Sequence, residues 1–155
     1  GQGEHVSILG SSRDDSITGT VADDNIDGAG GNDTIVYHGG ADTMLGGTGT
    51  DTLDLSNATT DVVVDLASGT GSHDGDALVV GGFERVNGSD FDDTLISGTM
   101  AGESVSLYGG SGNDTLQASG TLGTDLLFGG GGSNTFLFND ASGTFVNTFL
   151  FGTGT

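Results

Sequence analysis

The chain has 155 residues, 32 of them glycine, with no proline, no cysteine and only 33% hydrophobic residues, so a conventional core is thin for this length. Its 22 acidic residues face two basic ones, Arg13 and Arg85, for a formal net charge of -20. That balance argues against nucleic acid and anionic membrane surfaces as partners, both of which need clustered Lys or Arg, and points to multivalent cations.

All the acids except Glu4, Glu84 and Glu103 are Asp, the short carboxylate that suits turns and tight cation loops. Without cysteine there are no disulfides and no thiolate metal sites. No apolar run approaches the ~20 residues of a membrane span. The chain opens at Gly1 without a signal-peptide pattern, which reads as a processed or excised chain, or one exported by another route.

At the N-terminus, residues 1 to 9 (GQGEHVSIL) read as a degenerate copy of the nine-residue unit that repeats without a break from Gly10 to Asp54, with Ile8 in its apolar slot. The intact copies are GSSRDDSIT, GTVADDNID, GAGGNDTIV, YHGGADTML and GGTGTDTLD. The sixth position is always Asp (Asp15, Asp24, Asp33, Asp42, Asp51), and the eighth is always Ile, Met or Leu (Ile17, Ile26, Ile35, Met44, Leu53). Glycines at the first, second and fourth positions allow positive φ and close backbone approach. The last three residues, such as Thr34, Ile35 and Val36, then make a short strand with one side chain inward and two outward. Two units make one coil, so loops on the same flank recur every eighteen residues. Arg13 and Ala22 take the place of the fourth glycine and are expected to distort their turns.

Residues 55 to 87 lose the unit but keep strand-like alternation at Val62, Val64 and Leu66, and again at Leu78 and Val80. The segment SGTGSHDGD between them reads as loop, and the whole stretch as wider β coils in the same stack rather than a linker. The repeat returns at Gly88 (GSDFDDTLI), Gly109 (GGSGNDTLQ), Gly120 (GTLGTDLLF) and Gly129 (GGGGSNTFL), with Asp93, Asp114, Asp125 and Asn134 at the sixth position. Residues 97 to 99 and the pair Ala118 and Ser119 read as short insertions. Residues 142 to 150 look like another degenerate copy, with Phe149 in the apolar slot. Six of the eight phenylalanines (Phe128, Phe136, Phe138, Phe145, Phe149, Phe151) gather near the C-terminus as a cap or a contact surface.

These blocks resemble the G-G-x-G-x-D-x-U-x pattern of the RTX, or hemolysin-type, calcium-binding repeat family over residues 10 to 54 and 88 to 137. The resemblance implies an all-β parallel β-roll, or β-solenoid, with several Ca2+ ions between stacked glycine-rich turns. Carried over to this chain, the metal-binding residues are Asp15, Asp24, Asp33, Asp42, Asp51, Asp93, Asp114 and Asp125, with the turn glycines Gly28, Gly30, Gly31, Gly40, Gly46, Gly49, Gly109 and Gly112. The family arrangement pairs Asp15 with Asp33, Asp33 with Asp51, Asp24 with Asp42, and Asp93 with Asp114. Asn134 lacks the charge, and Val105 faces Asp125, so neither place is expected to hold a full-strength site. The competing reading of these Asp residues is as Asx-turn residues capping the corners. Folding and metal binding are expected to be one event, with a largely disordered chain in chelator.

No HExxH pair, GxSxG elbow or cysteine nucleophile is present, and His5, His38 and His73 are scattered. Carboxylate pairs such as Asp14 with Asp15 and Asp92 with Asp93 recur with the repeat, unlike the single unusual carboxylate that acid–base catalysis needs. Threonines at the seventh position (Thr34, Thr43, Thr52, Thr94, Thr115, Thr135) suit exposed strand sites, and no even two-column array suggests an ice-binding face. The expected organisation is one elongated roll: residues 1–54 a first array, 55–87 wider coils, 88–137 a second array, and 138–155 a cap or interface. The function expected is binding and assembly rather than catalysis: a secreted or cell-surface structural module whose open strand edges allow copies to stack head to tail. The alternative is an accessory module for export and folding of a larger secreted toxin, adhesin or enzyme.

Overall fold

The computed structural model describes residues 3–98, 104–119, 124–139 and 148–150. Among these there is no helix, and the strands in chain order are β1 (Ser7–Leu9), β2 (Ser16–Thr18), β3 (Asn25–Asp27), β4 (Thr34–Val36), β5 (Thr43–Leu45), β6 (Thr52–Asp54), β7 (Val62–Asp65), β8 (Thr70–His73), β9 (Asp76–Gly81), β10 (Arg85–Asn87), β11 (Thr94–Ile96), β12 (Ser106–Tyr108), β13 (Thr115–Ser119), β14 (Leu126–Phe128), β15 (Thr135–Asn139) and β16 (Thr148–Leu150).

Most strands are three residues long because the turn takes the other six of each nonapeptide. The central aliphatic of each strand points inward and its neighbours outward, as the buried Ile35 between half-buried Thr34 and Val36 illustrates. Outside β7 to β9, successive strands alternate between two sheets of parallel strands, which makes the fold a parallel β-solenoid. One sheet runs β2-β4-β6-β10-β12-β14-β16 and stacks Ile17, Ile35, Leu53, Val86, Leu107, Leu127 and Phe149 in one register row. The facing sheet stacks Ile8, Ile26, Met44 and Val80, then Val64, Leu95, Leu116 and Phe136. Among the described side chains these rows, from Ile8 to Leu127 and Phe136, form the core, and most of them are fully buried.

The facing sheet has nine strands against seven, because β7, β8 and β9 form an antiparallel meander inserted between β5 and β11. The segment SGTGSHDGD, read as loop, therefore contains the strand β8. The Asp-Gly pair after β8 supplies a two-residue hairpin turn with positive φ at Asp74 (49°) and Gly75 (89°). Inside this wider coil Tyr37 and Leu55 fill space where other coils carry a turn glycine. The Tyr37 hydroxyl contacts His73 Nδ1 at 3.0 Å and the Gly40 carbonyl oxygen at 3.1 Å.

A second difference lies at Ala118 and Ser119, read as an insertion. They lengthen β13 and pair with Phe138 and Asn139 of β15, so the extra residues extend the sheet. Of the C-terminal phenylalanines, Phe136 packs on the core and Phe138 is half exposed. Phe145 and Phe151 lie outside the described residues.

Candidate metal centre

The sixth residue of each repeat immediately precedes a strand, so parallel stacking brings sixth residues of the same flank into columns. Within these columns Asp33, Asp42, Asp51 and Asp114 use Oδ1 to accept the backbone N–H of the sixth residue one coil earlier. Asp33 accepts from Asp15 at 2.8 Å, Asp51 from Asp33 at 2.7 Å, Asp42 from Asp24 at 2.8 Å, and Asp114 from Asp93 at 3.0 Å. The four pairs expected from the resemblance are therefore stacked neighbours. Asn134 accepts in the same way from Asp114, and Asp125 accepts from Val105.

The second carboxylate oxygen divides the carboxylates into two kinds. Oδ2 of Asp33, Asp42, Asp51 and Asp114 is buried with no hydrogen-bond partner, although these residues are at most 1% exposed. A buried carboxylate oxygen without a donor is costly, and such groups in native proteins usually have a partner. Burial, with a smaller contribution from neighbouring carboxylates, raises Asp42 and Asp114 to about 6, despite the backbone N–H each accepts. Burial also raises Asp51 and Asp93.

The orphan oxygens of Asp33, Asp51 and Asp114 share small cradles with main-chain carbonyls, whereas the loop of Asp42 has Tyr37 in place of the first glycine. A Cβ placed on Gly28 would lie 2.5 Å from both Asp33 Oδ2 and the Gly46 carbonyl oxygen. A Cβ on Gly46 would likewise crowd the Gly82 carbonyl oxygen and lie 2.9 Å from Asp51 Oδ2, and one on Gly109 would crowd Asp114 Oδ2 and lie 2.6 Å from the Gly129 carbonyl oxygen. The first glycine of the repeat is thus required by close approach. The fourth is required by conformation, with φ of 117° at Gly31, 92° at Gly40, 147° at Gly49 and 113° at Gly112. Gly30, at a third position, makes an isolated bridge to Thr48 of the next coil.

Carboxylate and carbonyl oxygens converging from two stacked turns are the donor set of a hard cation such as Ca2+, and the residues present fit one. Among the described residues no three His, Cys, Asp or Glu side chains form a cage by themselves, so main-chain oxygens are necessary partners. At Gly129 the cradle contains Asn134 Nδ2 in place of a carboxylate oxygen, at 2.5 Å from the built Cβ. Asp125 Oδ2 accepts the Ser97 hydroxyl at 2.8 Å.

Two features escaped the sequence reading. Glu84 continues the column of Asp15, Asp33 and Asp51, with Oε2 accepting the Asp51 N–H at 2.8 Å. Its position just before a strand was the available signal, obscured because residues 55–87 lack the repeat. A second ladder runs along the fifth position in the opposite sense. There Asp14, Asp23, Asn32, Asp92 and Asn113 each accept the N–H of the fifth residue one coil later, at 2.7 to 2.9 Å. The recurring Asp or Asn before the sixth position marks it.

Comparison with known proteins finds the RTX calcium-binding nonapeptide repeat in four copies, over residues 9–44, 38–53 and 106–136. No curated protein matches the chain. Among solved structures it is similar to the extracellular lipase LipA from Serratia marcescens, at 20% identity and a TM-score of 0.45, over 99% of this chain and 33% of the lipase. The chain thus spans about a third of that enzyme's length.

Proposed function

Since the chain belongs to the RTX calcium-binding nonapeptide repeat family, we propose that it is an extracellular structural module that folds around calcium and serves binding and assembly rather than catalysis. The observation that carries this reading is the set of four buried carboxylate oxygens without donors, at Asp33, Asp42, Asp51 and Asp114. In a protein with net charge -20, closely stacked carboxylates oppose the fold until cations occupy the turns. Calcium supplies positive charge and six to eight oxygen-coordination positions. The chain supplies the carboxylates, and it orients the main-chain carbonyls through the left-handed glycines.

A titration with CaCl2, followed by circular dichroism and light scattering, tests this. The expected result is a cooperative gain of β signal in calcium that excess chelator reverses. The same β content in chelator and in millimolar calcium would sink the reading.

The strand edges support a finer proposal, that copies stack end to end as a fibre or surface-layer subunit. Among the described residues, edge strands β1 and β2 each have one sheet neighbour at one end of the solenoid, as do β15 and β16 at the other. Parallel edges of this kind form a heterologous contact that propagates unless it closes. Scattering that grows with protein concentration in calcium is the expected outcome. Folding without growth would instead favour an accessory module of a larger secreted protein.

A further inference from the structure

Seven of the eight sixth-position carboxylates, all but Asp125, fall into two loop classes that differ together at the second and fourth residues and in the partners of Oδ2. In the loops of Asp33, Asp42, Asp51 and Asp114 the fourth residue is a left-handed glycine and Oδ2 has no partner. In the loops of Asp15, Asp24 and Asp93 the fourth residue is Arg13, Ala22 or Phe91, none with positive φ. The second residue there is Ser11, Thr20 or Ser89, where the other loops have Ala29, His38, Gly47 and Gly110.

These hydroxyl residues make the same clasp three times. The backbone N–H of Ser11, Thr20 and Ser89 donates to Oδ2 of Asp15, Asp24 and Asp93 at 2.7, 2.5 and 2.6 Å. Each hydroxyl also lies within hydrogen-bond distance of that carboxylate, at 2.9, 3.0 and 2.8 Å. Each hydroxyl oxygen accepts the N–H of the fourth residue at 3.2, 3.1 and 3.1 Å, closing the turn from within. The clasp thus gives the carboxylate the donors that it lacks in the other class. Its three members stand at the first Asp of each stacked run: Asp15 before Asp33 and Asp51, Asp24 before Asp42, and Asp93 before Asp114.

We propose that Ser11, Thr20 and Ser89 stand in for a cation, so that the first loop of each run holds its carboxylate without calcium and the ions go to the loops of Asp33, Asp42, Asp51 and Asp114. This rests on the calcium reading and adds a rule for which repeats bind. A run then begins on a turn that is complete before any ion arrives, and later turns stack on it.

The test is the number of calcium ions bound per chain, by equilibrium dialysis of the full chain. The double variant Ser89→Gly, Phe91→Gly rebuilds the glycine pattern and should bind one ion more than the wild type. Adding Asp93→Asn should remove that extra ion. Asn is tolerated in this ladder, because Asn134 accepts the Asp114 N–H at 2.8 Å. Ser89→Thr, which reproduces the clasp of Thr20, should leave the number unchanged. Because Ser89 is buried, the exposed pair Ser11→Gly, Arg13→Gly provides a second gain of one ion that puts no core contact at risk. Unchanged binding in both double variants, each showing the wild-type β signal, overturns the clasp. Asp114→Asn separates the two ideas: it should cost the wild type one ion. A wild type that binds no calcium overturns the calcium reading and the clasp with it.

Discussion

Asp42 and Asp114 show at the scale of one side chain how the fold depends on its solvent. Both are placed in the wall between stacked turns, and burial raises them to about 6 from the ordinary 3.8. In an unfolded chain they return to the ordinary value, so the metal-free folded state holds its protons more tightly than the unfolded one. Stability from such groups is fully present below about 3.8 and is lost as pH rises through about 6. Metal-free protein should therefore show more β signal near pH 4 than near pH 7, with the loss falling between those limits. Calcium should reverse the trend, because a bound cation favours the ionised carboxylate. A pH series by circular dichroism, in chelator and in calcium, checks both halves. A metal-free chain that gains structure as pH rises from 4 to 7 would contradict the placement of these carboxylates.

Among the elements, the meander β7 to β9 is where the period-nine reading ended. Its buried side chains Val62, Val64, Leu78 and Val80 were legible as alternation, since period two survives without the repeat. Strand β8 was not, because Thr70, Gly71 and Ser72 carry no apolar signal and the inward position is Gly71, between Leu78 and Val64. The turn was legible in retrospect, as Asp-Gly is a strong two-residue hairpin signal. Likewise the sixth-position columns could be read from spacing, whereas the clasps at Ser11, Thr20 and Ser89 could not. A Ser in a Gly-rich turn acquires its meaning only from the carboxylate four residues on. Gly75 offers a clean test of the hairpin, because φ is 89° and nothing lies within 4 Å of a Cβ placed there. Gly75→Ala should cost on the order of 1 kcal/mol through left-handed strain alone, measured by urea unfolding in saturating calcium. No loss of stability would mean that the turn does not hold this conformation.

For the whole molecule, the question is whether calcium acts mainly as bulk counter-charge or as a bound part of the core. A net charge of -20 makes the first plausible, and the two make different predictions in NaCl. Screening works beyond a Debye length, about 10 Å at 0.1 M and about 3 Å at 1 M salt, whereas stacked carboxylates sit one strand spacing apart, about 4.8 Å. Monovalent salt near 0.1 M therefore relieves repulsion between distant loops but leaves adjacent rungs of one column nearly unscreened. Even 1 M salt leaves the four Oδ2 atoms without donors, and each buried unsatisfied polar group costs on the order of 1–3 kcal/mol, more when charged. Summed over four sites, that penalty is comparable with the whole stability of a small domain, about 5–15 kcal/mol. The chain should consequently reach full β signal in millimolar CaCl2 but not in NaCl at equal or far higher ionic strength, as followed by circular dichroism. If 1 M NaCl folds the chelated chain as completely as calcium does, long-range repulsion is the dominant obstacle, and the cradles at Gly28, Gly46 and Gly109 are features of the turn geometry rather than ion sites.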